Sequence, residues 1–146
     1  MLWPPLPQCL LNSRMPVTIE ARSRSCFSFC REFRAANQAE TIAPLLALYH
    51  LDGCDNTTCT LLKGALQYEL GLPIKEITFE PLSGAPEETI HYTHKGVTYG
   101  PSLKPTYRMR VVYDVKDGFT SLFSIGQTSD GTWRIVSSKP LAEPSL

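Results

Sequence analysis

The stretch that decides the fold runs from Tyr107 to Ser138 and reads YRMRVVYDVKDGFTSLFSIGQTSDGTWRIVSS. Its first part places apolar residues at odd positions and mainly polar residues at even positions, which is the period of a strand with one solvated face. Asp117-Gly118 and Asp130-Gly131 are typical of hairpin turns, because glycine readily adopts a positive φ and aspartate tolerates it. Three consecutive antiparallel strands are therefore predicted. They cover residues 107–115, 119–128 and 132–138.

Two helices are predicted between Cys26 and Gly53, because apolar residues recur there at spacings of three and four. The helices are broken near Asn37, which is a candidate cap for the second one. The second helix ends at Gly53, since glycine accepts the left-handed conformation that closes a helix. Its apolar stripe consists of Ile42, Leu45, Leu46 and Tyr49.

A third helix is predicted from Asn56 to Leu70, with Asn56 or Thr57 as its N-cap. One side of it is apolar and consists of Leu61, Leu62, Ala65, Leu66 and Leu70. After Pro73 the period changes to two, which predicts a short strand with Ile77 and Phe79 facing the core. A small hairpin follows between residues 91 and 99.

The composition is that of an ordinary globular chain, with 146 residues of which 42% are hydrophobic and 19% charged. The pattern predicts the α+β class, with N-terminal helices packed on a curved, mainly antiparallel sheet. Residues 1–25 are predicted to form a poorly ordered leader, residues 26–139 one domain, and residues 140–146 a C-terminal tail.

The charge balance and the hydropathy favour a protein that binds neither nucleic acid nor membrane. Fourteen basic and fourteen acidic residues cancel, so no overall field attracts the chain to phosphate backbones or anionic lipids. The sequence contains no apolar run of the roughly 18 residues that a membrane-spanning helix needs. Since no secretory signal is recognisable either, a cytoplasmic location is expected.

Metal and cofactor sites are not predicted. Cys26 and Cys30 share a helical face, but the five cysteines lack the paired spacings of structural zinc sites. His91 and His94 are three residues apart, which on a strand places their side chains on opposite faces. Phosphate-binding glycine loops and dinucleotide fingerprints are missing from the sequence, so no cofactor is expected.

The order of elements resembles the nuclear-transport-factor-2-like superfamily, which has a cystatin-like α+β fold. The resemblance covers about residues 26–139 and depends on the LLALYHLDG, LGLPIKEITFEPL and YTHKGVTYGPSLKPTYRMRVVYD segments, which look like those of uncharacterised bacterial members. It implies a cone-shaped sheet whose mouth holds an apolar ligand, and a homodimer formed through the sheet. Because this superfamily includes isomerases, cyclases, dehydratases and non-catalytic proteins, it does not fix a reaction.

Tyr49, His50 and Asp52 are the candidate catalytic residues, because a histidine beside an acid can act as a general base. The competing interpretation is structural: a polar cluster at a helix exit satisfies loose carbonyl groups, and a cationic histidine there suits the helix dipole. If these residues are catalytic, the protein is a small-molecule isomerase, cyclase or dehydratase.

Six aromatic residues are the candidate ligand-binding residues, since aromatic walls with a few hydroxyl groups select flat apolar ligands. They are Tyr92, Tyr99, Tyr107, Tyr113, Phe123 and Trp133. The same residue types also suit a half-buried sheet, so core packing is the alternative. The function favoured by the sequence is non-catalytic binding, either of a small apolar ligand in the cone or of a protein partner on the sheet.

Overall fold

The computed structural model of the protein describes residues 25–141. The helices are α1 (Cys26–Asn37), α2 (Ala43–Leu46) and α3 (Asn56–Glu69), with a 3-10 helix at Pro86–Thr89. The strands are β1 (Tyr49–His50), β2 (Ile74–Pro81), β3 (Tyr92–His94), β4 (Val97–Pro101), β5 (Tyr107–Tyr113), β6 (Phe119–Gln127), β7 (Trp133–Val136) and β8 (Ser138–Pro140). The predicted leader, apart from Ser25, and residues 142–146 of the predicted tail lie outside the described residues.

The strands form two sheets. The larger sheet has the order β1-β7-β6-β5-β2 and is antiparallel except for the β1–β7 pair, while the smaller has the order β3-β4-β8. The predicted strands at residues 107–115, 119–128 and 132–138 are confirmed as β5, β6 and β7, with slightly shorter bounds. The predicted α+β class, with helices packed on a mainly antiparallel sheet, is also confirmed.

The hydrophobic core lies between the helices and one face of the larger sheet. Phe29 and Phe33 of α1 pack against alternate residues of the central strands, including Met109 and Val111, all of which are almost fully buried. The alternation predicted for β5 is therefore correct, because its odd-numbered residues from Met109 to Tyr113 are buried.

The predicted second helix is wrong in its second half. Helix α2 has only four residues, and Tyr49 and His50 form a strand instead of a helical turn. Tyr49 lies opposite Ile135 in β7, and the Ile135 N–H donates to the Leu48 carbonyl at 2.8 Å. The unpaired backbone groups of β7 thus form a ladder with this segment, and this tertiary pairing overrides the helical spacing.

Two predicted helix caps also differ. Asn37 ends α1 rather than beginning the next helix, and its side-chain amide donates to the Leu72 carbonyl at 2.8 Å. The N-cap of α3 is Asp55, whose carboxylate accepts from the Thr58 N–H at 2.9 Å, and not Asn56 or Thr57. Aspartate is as good an N-cap as asparagine, so composition alone does not separate these neighbours.

The smaller sheet contains the hairpin predicted between residues 91 and 99, together with an additional strand. The hairpin turns at Lys95 and Gly96, which have φ values of 51° and 79°. Strand β8 pairs with β4 and includes Pro140, and the Leu141 N–H donates to the Thr98 carbonyl at 2.8 Å. The chain thus passes from the larger sheet into the smaller one at residue 137.

Candidate functional site

Tyr49, His50 and Asp52 do not converge on one site. His50 Nε2 lies 3.6 Å from Asp52 Oδ2, but the Asp52 side chain is 91% exposed. A carboxylate in open water orients an imidazole only weakly. Tyr49 packs against the core instead, because neighbouring residues of a strand face opposite sides. His50 itself is largely buried, with a side chain 18% exposed, so the arrangement offers a buried imidazole whose acidic neighbour lies in open water.

The six candidate ligand-binding aromatics are divided between the core and one groove. Tyr99, Tyr113 and Trp133 are buried, and Tyr107 and Phe123 are partly buried against the core. Tyr92 differs, since 45% of its surface is exposed and it lines a groove. Of the six residues, Tyr92 alone lines either of the two cavities described below.

The groove has a volume of about 300 Å³ and lies where α3 meets the junction between the two sheets. This volume is at the lower end of the range for small-molecule pockets. Three parts of the chain line it. Helix α3 contributes Thr58, Leu61 and Leu62, and the loop before the hairpin and the first hairpin strand contribute Ile90 and Tyr92. The larger sheet and its exit contribute Tyr49 and residues 136–138.

The rims of the groove expose large apolar groups. Leu61 is 68% exposed although it lies on the side of α3 that the sequence predicts to be apolar. Leu66, on the same side, is buried. The apolar stripe of α3 is therefore wider than the surface that the core covers, and its excess lies at the groove. The apolar stripe of α3 and the tyrosine at position 92 are the sequence features that belong to this site, although the stripe does not show which of its leucines the core leaves uncovered.

The polar groups of the groove are hydroxyl groups that bond mainly to one another. The Tyr92 hydroxyl lies 2.8 Å from Ser138 Oγ, which in turn lies 3.5 Å from Thr58 Oγ1. The Tyr92 ring stacks on Tyr99 with 5.1 Å between the ring centroids. Since these contacts fix the Tyr92 ring, it forms a rigid wall rather than a mobile side chain.

The third side of the groove is formed by Ile90, which ends a loop and has a strained backbone conformation. Ile90 has φ 51° and ψ 56°, a left-handed conformation that is unusual for a β-branched residue. Strain of this kind costs about 1–3 kcal/mol and persists only where the surrounding structure enforces it. Ile90 is held in place by the preceding loop, and it brings an aliphatic side chain to the groove.

The buried Glu88 carboxylate anchors that loop. Its Oε1 accepts from the backbone N–H groups of Ser83, Gly84 and Ala85 at 2.8–3.0 Å. Burial would raise the pKa of Glu88, but these bonds and the one from the Ser83 hydroxyl together hold it below its usual value. Arg108 Nη1 lies 3.5 Å from the same carboxylate. Glu88 therefore remains charged and fixes the loop against the outer face of the larger sheet.

A polar cluster inside the core face was not predicted from the sequence. Glu69, at the end of α3, accepts hydrogen bonds from the hydroxyl groups of Tyr113 and Ser121. Burial, followed by the charge of Glu69, raises the pKa of Tyr49 and of Tyr113. Both phenols therefore stay protonated. Tyr49 links this cluster to the groove, since it also lines the groove.

A second cavity, of about 520 Å³, lies between α1, α2 and the start of β7. Four alanines contribute to its lining, together with Arg31, Glu32 and Arg134. Within residues 25–141, no group of three or more histidine, cysteine or acidic side chains is placed to hold a metal ion. In the same part of the chain no helix has the length and apolarity needed to cross a membrane.

Comparison with known proteins assigns no family to this chain. A scan against protein-family models finds no match, and searches of curated proteins and of solved structures find no similar protein.

Proposed function

We propose that the protein binds a small, neutral, apolar molecule in the groove between α3 and the junction of the two sheets, without transforming it. The observation that carries this proposal is the exposure of Leu61, 68% of which is in contact with water at the rim of a preformed apolar groove. An exposed apolar patch beside a concave surface is typical of a binding site.

The charge of the groove favours a neutral ligand. Its nine lining residues are four aliphatic residues, two tyrosines and three hydroxyl residues, and none of them carries a charge at neutral pH. A charged ligand would lose water in the groove without gaining an ionic partner, which is costly. An uncharged aromatic or aliphatic molecule instead covers Leu61 and Tyr92 and loses only weakly ordered water.

The rigidity of the groove reduces the entropy that is lost when a ligand binds. The hydroxyl contacts of Tyr92 and the Glu88 anchor of the loop hold two of its walls before a ligand arrives. Preorganisation of this kind reduces the entropy lost on association. We expect the exposed side chain of Leu61 to be the principal group that becomes ordered when a ligand binds.

The proposal includes three further properties of the protein. They are membership of the nuclear-transport-factor-2-like superfamily, a homodimer and a cytoplasmic location. Helices that precede a mainly antiparallel sheet support membership of the nuclear-transport-factor-2-like superfamily. For a homodimer through the sheet, the supporting feature is Leu122 on the outer face, which is 52% exposed. Cys54 and Cys59 are free thiols, as expected in a reducing cytoplasm.

A second candidate function is acid–base catalysis on the groove ligand, as in an isomerase, cyclase or dehydratase. The observation that favours it is the Glu69 cluster, because Tyr49 lies within the electrostatic reach of Glu69 and also lines the groove. In this case Glu69 would accept a proton and a neutral tyrosine would donate one. Replacement of Glu69 by Gln would then abolish turnover while ligand binding persisted.

The primary proposal is tested with N-phenyl-1-naphthylamine, a neutral apolar fluorophore, by fluorescence titration. We expect saturable binding to the wild-type protein and a Kd at least about tenfold higher for Leu61→Glu, because a carboxylate at the rim must be desolvated. Leu122→Glu is the matched control, since it introduces the same charge at an exposed leucine that does not line the groove. Equal affinity of the two variants for the probe would contradict the proposed site.

A further inference from the structure

The cavity between α1 and β7 differs from the groove in its charge. Arg31, Glu32 and Arg134 line it, so its lining carries two positive charges and one negative charge. Its remaining lining is mainly apolar and small, with alanines at positions 35, 36, 39 and 47. Small side chains on two facing helical segments leave the space of about 520 Å³. The cavity therefore combines an apolar floor with a positive net charge.

Arg134 is the distinctive group of this cavity. It lies in β7 directly before Ile135 and Val136, the two residues that pair with β1. At Arg134 itself, β1 does not cover the edge of the larger sheet. Its guanidinium donates one hydrogen bond, from Nη1 to the Trp133 carbonyl at 2.8 Å. Within residues 25–141 no carboxylate lies within ion-pair distance of it.

The contrast with the other sheet arginines shows that this arrangement is specific. Arg108 and Arg110 both contact the Glu80 carboxylate on the outer face, at 2.5 and 3.0 Å. Arg108 also lies 3.5 Å from the Glu88 carboxylate, so two carboxylates balance these two guanidinium groups. A guanidinium has five N–H donors in a planar fork that matches a carboxylate. Arg134 uses one of them in its bond to the Trp133 carbonyl and retains donors on Nε and Nη2 for another acceptor.

We propose that this cavity is a second binding site, which takes an organic monocarboxylate with a compact apolar body. The carboxylate pairs with Arg134, and the apolar body lies against the alanines of α1 and the α2 segment. A charge-assisted bidentate contact is among the stronger hydrogen-bonding arrangements in proteins, and the low-polarity floor strengthens it. One guanidinium fork matches one carboxylate, so a single negative charge fits best. This site does not depend on the groove proposal.

The test uses octanoate and its uncharged counterpart octanamide as probes, with isothermal titration calorimetry at neutral pH. We expect octanoate to bind at least about tenfold more tightly than octanamide, in line with the contribution of a charged hydrogen bond. In Arg134→Gln this preference should disappear. Arg110→Gln is the matched control, because it removes an arginine of the same sheet that lies outside the cavity.

A second variant tests the cavity without changing its charge. Ala35 lies on the exposed side of α1 and lines the cavity, so Ala35→Trp fills space and is compatible with folding. We expect it to weaken octanoate binding while its circular dichroism spectrum matches that of the wild-type protein. The site would be overturned by absence of octanoate binding at millimolar concentration, or by equal binding to Arg134→Gln and the wild type. Loss of octanoate binding in Leu61→Glu but not in Arg134→Gln would also overturn it, because the probe would then occupy the groove.

Discussion

The two sheets are stabilised by different kinds of buried group. The larger sheet covers its core with aliphatic and aromatic side chains such as Met109 and Val111, which have no measurable exposure. The smaller sheet and the exit from β7 instead bury hydroxyl groups, notably Ser102, Ser137 and Ser138. Apolar burial is non-directional, whereas a buried hydroxyl requires a partner in a defined place. The first sheet therefore provides stability, and the second fixes the position of the groove.

A small number of side-chain hydrogen bonds hold the junction between the two sheets together. The hydroxyl groups of Ser102 and Ser137 both donate to the His50 carbonyl, at 2.7 and 2.6 Å. The Tyr99 hydroxyl donates to the Asp55 carboxylate at 2.8 Å, which links the hairpin to the start of α3. These bonds join the segments that form the groove walls. The groove should therefore be more sensitive to loss of a hydroxyl than to a conservative change in the core.

The largest expected effect is in the larger sheet. Val111→Asp places an unpaired charge in the core and should unfold the domain, at a cost of about 5 kcal/mol or more. Val112→Asp is the matched control, because the next residue of β5 faces the other side of the sheet. Thermal unfolding followed by circular dichroism measures both variants. A cooperative transition at the wild-type temperature in Val111→Asp would contradict the assignment of faces.

A smaller effect is expected at the junction. Ser102→Ala removes the bond to the His50 carbonyl and leaves the Ser137 N–H without its acceptor. We expect a loss of about 1–3 kcal/mol in the free energy of unfolding, because the Ser137 N–H is buried and would lose its partner. Urea titration measures it, with Ser124→Ala as the control, since that hydroxyl is partly exposed and makes one longer bond of 3.3 Å. Equal losses in the two variants would show that the junction is not a specific polar contact.

The smallest effect is a dependence on pH at Asp55. The Thr58 backbone N–H, followed by the Tyr99 hydroxyl, lowers the pKa of Asp55 below 3.8. A lowered folded-state pKa means that the charged carboxylate stabilises the protein above pH 3.8 and that this contribution is lost as the pH falls through the folded value. The melting temperature of Asp55→Asn should therefore be lower than that of the wild type at neutral pH, and the two should converge in acid. Because asparagine also caps helices, the difference in melting temperature between Asp55→Asn and the wild type reports the charge of the Asp55 carboxylate.

Asp52→Asn serves as the reference for that comparison. The Asp52 side chain is 91% exposed, and its contact with His50 is 3.6 Å long. We expect its melting temperature to follow that of the wild type across the same pH range. If Asp55→Asn behaved in the same way as Asp52→Asn, the link between the hairpin and α3 would not depend on the carboxylate.

The same contrast explains what could be predicted from the sequence. Strands β5 to β7 were predictable because their period of two and their Asp-Gly turns are local. Strands β1 and β8 were not, since each is two or three residues long and pairs with a distant part of the chain, as in Tyr49 with Ile135 and Tyr99 with Pro140. A pattern of such length has no detectable period, and its partner lies more than 40 residues away.

The candidate site was predictable only in part. Tyr92 was identified from its residue type, and Leu61 was assigned to the apolar side of α3 without an indication that it would be left uncovered. Glu69 has no sequence signal at all, because its partners Tyr113 and Ser121 lie 44 and 52 residues further along the chain. Sites that depend on such long-range meetings of polar groups require the fold before they can be recognised.

The most direct test of the groove as the binding site is a two-dimensional amide NMR titration of the protein with N-phenyl-1-naphthylamine. We expect the shifted resonances to cluster at Thr58, Leu61, Leu62, Ile90 and Tyr92 and at residues 136–138, while those of the α1 helix stay in place. Shifts confined to the cavity lined by Arg134, or an absence of shifts at saturating probe, would contradict it.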